Sequence, residues 1–133
     1  MGMLRTIGAV LVAGAALVTT AVPAQAGDVV TSSGSIVGDW RTSTNGVRQT
    51  ITFQADGSVS GDAGCNRFTG TYTTDGNEIS IGPLATTLIA CEDAVMDAEA
   101  VFLTKVQAAV SYQALPKRLK LFTPKDLMTF RRA

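Results

Sequence analysis

Histidine is absent from this 133-residue chain. Its absence removes Ser-His and Cys-His nucleophile pairs and most zinc sites at once. Cysteine is scarce, with two residues, Cys65 and Cys91. A surplus of either charge is also missing, since eleven Lys and Arg balance eleven Asp and Glu. No basic stripe is visible along the chain, so nucleic-acid binding has little electrostatic support. The C-terminal Lys117, Arg118, Lys120, Lys125, Arg131 and Arg132 alternate with apolar residues and read as a solvated strand face. Ser32, Ser33 and Ser111 lack a Gly-x-Ser-x-Gly setting, and no loop carries calcium-ligand spacing with a central glycine.

The N-terminus has the three-part layout of a secretory signal peptide. Arg5 is the only charge before Asp28, Ile7 to Val18 is apolar, and Ala24-Gln25-Ala26 is a small-x-small cleavage pattern. The apolar run is shorter than the ~20 residues that span a bilayer. Cleavage after Ala26 is expected, and the residue that follows is Gly27 rather than the cysteine a lipid anchor needs. About 107 residues then remain, enough for one domain with a modest core. Eleven basic residues become ten when Arg5 is lost. The expected organisation is a signal peptide over 1–26, a flexible leader over 27–34 and one domain over 35–133. The expected destination is secreted, extracellular or periplasmic.

What is present is the punctuation of antiparallel sheet. Ile36 to Arg41 is a strand candidate, and Asn45-Gly46 is a hairpin signal because both residues tolerate positive φ. Val47, Gln49, Ile51 and Phe53 alternate with Arg48, Thr50 and Thr52, so the first set points inward. Asp56-Gly57 turns the chain into Ser58 to Gly61. Phe68 to Thr74 places Phe68 and Tyr72 on one side, Asp75-Gly76-Asn77 turns it back, and Ile79 and Ile81 share the next inward face.

Glu92 to Ala109 has no Gly or Pro, and Val95, Ala98, Phe102, Leu103 and Val106 make one helical face that Glu99 interrupts. Glu92, Asp93, Asp97 and Glu99 read as charge compensation at the helix start, with Asp93 as N-cap. Strand periodicity returns over Val110 to Leu115, Arg118 to Thr123 and Leu127 to Arg132. One helix cannot cover both faces of such a sheet. The expected fold is mainly β (α+β): a small antiparallel curled sheet or partly open barrel of about seven or eight strands with one packed helix.

The densest stretch is Gly61-x-x-Gly64-Cys65-Asn66-Arg67-Phe68-x-Gly70-x-Tyr72, answered downstream by Thr87-x-x-x-Cys91. With Trp40 and Ile51-Thr52-Phe53 upstream, and Phe102-Leu103, Leu119-Lys120-Leu121 and Phe130 downstream, it resembles the META domain, or HslJ-like, family over roughly 35–133. The resemblance implies a small β domain with one helix, commonly exported, with links to heat shock and envelope stress. It implies no defined molecular activity. Where many members have a glycine-containing turn, this chain has Pro116-Lys117.

Two cysteines in an exported chain favour a disulfide over a reactive thiol, which usually needs a nearby histidine or cation. Closing a loop of about 27 residues stabilises the fold by roughly 3–4 kcal/mol. Gly61, Gly64 and Gly70 are read as supplying backbone angles closed to other residues, and Asn66 as bonding its local backbone. Trp40, Phe53, Phe68, Tyr72 and Phe102 are read as core. No catalytic residue, cofactor or metal is expected. The expected activity is non-enzymatic, toward an unknown protein, an envelope component or a small apolar ligand, with no nucleic acid and no stable membrane anchor. A thiol- or carboxylate-dependent enzyme and a stress-buffering structural protein are the alternatives.

Overall fold

The computed structural model of the chain describes residues 34–133. The expected signal peptide, and the expected leader except for its last residue, lie outside the described residues. Nine strands and one helix follow in order: β1 (Gly38–Thr44), β2 (Val47–Phe53), β3 (Ser58–Asp62), β4 (Arg67–Asp75), β5 (Glu78–Ile81), β6 (Ala85–Thr86), α1 (Asp93–Gln107), β7 (Ser111–Ala114), β8 (Arg118–Phe122) and β9 (Leu127–Arg132). Neighbouring strands run β3-β2-β1-β9-β8-β7-β5-β4, and β4 pairs back with β3. Eight antiparallel strands therefore close into a barrel, and β6 adds outside it along β4. The open edge allowed for by the sequence does not exist, because β1 meets β9 through the Arg131–Arg41 and Arg132–Trp40 pairs. Closure satisfies the backbone groups that an edge would expose.

Alternation decides which side chains fill the barrel. Trp40, Ile51, Phe53, Val59, Phe68, Leu119, Leu121 and Phe130 are essentially inaccessible to solvent. Asn45 and Gly46 both have positive φ, as the tight β1–β2 turn requires. The strand that begins the barrel starts later than expected. Gly38, at φ 138°, breaks the extended run, and Ile36 before it is buried beneath Trp40, whose indole N–H donates to the Ile36 carbonyl at 2.9 Å. Gly34, expected in the flexible leader, donates its N–H to the Ala114 carbonyl. The Pro116-Lys117 turn closes a regular hairpin, with the Leu115 N–H on the Arg118 carbonyl at 2.7 Å.

Helix α1 plugs one end of the barrel. Its buried face is Ala98, Glu99, Phe102 and Val106. The Phe102 ring lies 5.8 Å from Phe68 on β4 and 6.3 Å from Phe130 on β9, strands on opposite walls of the barrel. One aromatic side chain thus spans the mouth and joins walls that share no hydrogen bond. The helix starts one residue before the sequence reading placed it. Glu92 is the N-cap and makes no side-chain cap bond, while Asp93 sits in the first turn where the dipole favours its charge.

Candidate functional site

The motif stretch turns the corner from β3 to β4 beside the helical plug. Gly64 has φ 123°, and the Ala63 N–H bonds the Asn66 carbonyl across the turn. Gly61 and Gly70 have ordinary strand angles, contrary to the sequence reading. They are needed for space. A Cβ on Gly61 would strike the Thr50 carbonyl and lie 2.6 Å from the tip of the Phe68 ring. A Cβ on Gly70 would lie 2.7 Å from the Leu84 side chain. Phe68 can cross the barrel interior because Gly61 leaves that volume empty.

Cys65 and Cys91 are joined as a disulfide, with Cα atoms 6.2 Å apart. Beside it, Asn66 is buried and uses every hydrogen-bonding position of its amide. Its Nδ2 donates to the Ile89 carbonyl (3.0 Å) and to Glu99 Oε2 (2.7 Å). Its Oδ1 accepts from the Thr87 hydroxyl (2.7 Å) and the Ile89 N–H (2.6 Å). These partners lie more than twenty residues away, so the Asn66 side chain does not bond its local backbone. It ties the 87–89 segment and the helix to the barrel corner. Thr87 completes the tie by exchanging bonds with the Arg67 backbone. The Arg67 side chain itself is exposed.

Glu99 is the residue that helix-start compensation misread. It is 5% exposed, and its Oε1 accepts the N–H groups of Cys65 (3.1 Å) and Asn66 (2.7 Å). Burial pushes its carboxyl up, but the bonds from the Asn66 side chain and from the Asn66 and Cys65 N–H groups outweigh burial. Its pKa lies below the ordinary carboxylate value. The signal was present in the sequence as the one charge on an otherwise apolar helical face. Gln49 is buried nearby, donating to the Ala63 and Ala98 carbonyls and accepting from Thr44.

The aromatic motif residues do not form a groove. Trp40 is fully enclosed and Arg132 stacks over its ring at 4.0 Å. Tyr72 is buried edge-on to Phe53 and donates its hydroxyl to the Gln54 carbonyl. No group of three or more His, Cys, Asp or Glu gathers to hold a metal among the described residues.

A different surface carries concentrated charge. Arg118 on β8 stands opposite Arg131 on β9, which stands opposite Arg41 on β1. Arg48, one row along, stands opposite Ser43. The basic stripe that the linear sequence does not display is assembled here from four strands. These arginines border an open concavity of about 590 Å³ that Thr42, Ser43 and Thr129 also line. Alternation within each strand turns these cations outward, but adjacency of β1, β8 and β9 is invisible until the barrel closes.

Comparison with known proteins matches the META domain over residues 32–133. No curated protein matches the sequence. Among solved structures, a protein from Burkholderia xenovorans aligns with a TM-score of 0.60 at 21% identity, covering 84% of this chain and 99% of that one. A DUF4847 family protein from Bacteroides vulgatus ATCC 8482 aligns with a TM-score of 0.50 at 23% identity, covering 64% of this chain and 59% of that one. This chain therefore spans under two thirds of the Bacteroides protein's length. At these identities the likeness concerns the fold.

Proposed function

We propose that this chain, which belongs to the META-domain family, is an exported, non-enzymatic binding module that works outside the cytoplasmic membrane. The observation that carries this reading is the complete engagement of the motif. Asn66 uses all four of its amide positions, Glu99 accepts three N–H bonds, and both cysteines are consumed in a disulfide. Groups that are fully satisfied in holding a corner together are poorly placed to attack or protonate a substrate. The barrel interior offers little more, because large side chains fill it. Binding therefore falls to the outer surface, and an envelope component becomes a better partner than a small apolar ligand. The disulfide suits an oxidising compartment, in agreement with the signal-peptide layout of residues 1–26.

Mass spectrometry on the exported chain, without reductant, tests the reading. The expected species begins at Gly27, lacks two hydrogens relative to the dithiol and takes up no alkylating agent. A chain retained with its first 26 residues, or an alkylatable Cys65 or Cys91, overturns it.

A further inference from the structure

The arginine row is not explained by stability. Like charges directly opposite each other on neighbouring strands repel, and here Arg118, Arg131 and Arg41 occupy three such positions in line. No acid lines their concavity. The single ion pair among the described residues, Lys105 with Asp126, involves none of them. Asp39 is the one acid on the four strands that carry these arginines, and it is otherwise engaged, accepting the Thr52 hydroxyl. A set of cations kept together at a cost in repulsion, and left without carboxylate partners, is an arrangement for an external anion.

We infer that this concavity binds a chain of phosphate-linked polyol units, with the guanidinium groups of Arg41, Arg48, Arg118 and Arg131 on successive phosphates. The inference rests on the reading of this protein as an exported binding module and names the ligand class for it. Guanidinium forks match phosphate oxygens two at a time. Adjacent strands lie about 4.8 Å apart, so the row of three spreads its charge over roughly 10 Å, more than one phosphate requires. The volume of about 590 Å³ lies within the range of ordinary ligand sites. The neutral part of the lining is Thr42, Ser43, Thr129 and Gly46, so hydroxyl groups meet the linking units. No aromatic ring lines the concavity to stack a nucleobase. No large apolar side chain lines it to seat an acyl chain, which separates this ligand from a lipid surface.

The test is calorimetric titration of the oxidised, exported chain with a synthetic oligo(glycerol phosphate). Saturable binding that weakens between about 50 and 200 mM salt is expected. The Arg41→Gln/Arg131→Gln double variant should lose about tenfold or more in affinity. Lys105→Gln, which removes a cation remote from the row, should bind as the parent does. An Arg48→Gln/Arg118→Gln variant serves if the first pair folds poorly, and its affinity should fall likewise. Absence of saturable binding overturns the inference, as does undiminished binding by both double variants. Equal or tighter binding of inorganic phosphate, of a single-stranded oligonucleotide with the same number of phosphates, or of phosphatidylglycerol vesicles also overturns it. The mass readout of export and disulfide closure is independent of all these titrations, so the two readings fail separately.

Discussion

The corner at Cys65-Asn66 and the face at Arg41–Arg131 use polar groups in opposite ways. At the corner, a carboxylate and an amide are withdrawn from water, the amide using all four of its hydrogen-bonding positions and the carboxylate accepting three N–H bonds. At the face, guanidinium groups of one sign are set side by side in water without protein partners of opposite charge. Buried polar groups are costly unless satisfied, so the corner can hold only one arrangement. Exposed charges are cheap to hold and free to meet a ligand. A residue pattern conspicuous in the sequence can thus be the part with least chemistry to spare, while the inconspicuous cations have the most.

Substitutions should separate the two regions by their effect on stability. Asn66→Ala strands the Thr87 hydroxyl and the Ile89 backbone and removes a donor from the buried Glu99 carboxylate. A loss of about 3 kcal/mol or more is expected, read as a shift in the denaturant midpoint. A change below about 1 kcal/mol would mean that the corner reorganises and that the contrast with the face is weaker than drawn.

Acid titration sharpens the same contrast. The folded pKa of Glu99 is lowered, so its contribution is fully present above the unfolded value of about 4.3 and is lost as pH falls through the folded value below that. Stability of the parent should therefore decline on acidification below about pH 4. In Asn66→Ala, burial acts on Glu99 with one opposing bond fewer, so the gap between parent and variant should narrow in acid. A constant gap from neutral pH to acid would remove Glu99 from the account.

The smallest effect belongs to the face. Arg41→Gln/Arg131→Gln should leave the thermal unfolding midpoint close to the parent's, within about 0.5 kcal/mol and tending toward stabilisation as repulsion is relieved. A marked loss of stability would show that the row supports the barrel.

Much of the barrel was legible in advance, because period-two alternation and turn residues are local properties. Val47–Phe53 and Leu127–Arg132 lie where the pattern places them, and Asn45-Gly46 makes the turn its residue types demand. The corner was legible in outline: two cysteines in a chain expected to be exported favour the pairing that the structure has. The roles of Asn66 and Glu99 were not, since their partners are more than twenty residues apart and meet when the helix enters the barrel mouth. Gly61 and Gly70 were misread for a related reason. Backbone freedom is a property of the residue, but the room taken by the Phe68 ring and the Leu84 side chain belongs to the packed structure.

The sequence by itself determined strand faces, turns, the helix and the supply of inward apolar residues, because each depends on neighbours within a few positions. The tertiary structure decided closure of the barrel, the shared hydrogen bonds of Asn66 and Glu99, and the alignment of Arg118, Arg131 and Arg41. These depend on which distant strands become neighbours. Burial of the core selects that pairing, and the outward charges follow it into line.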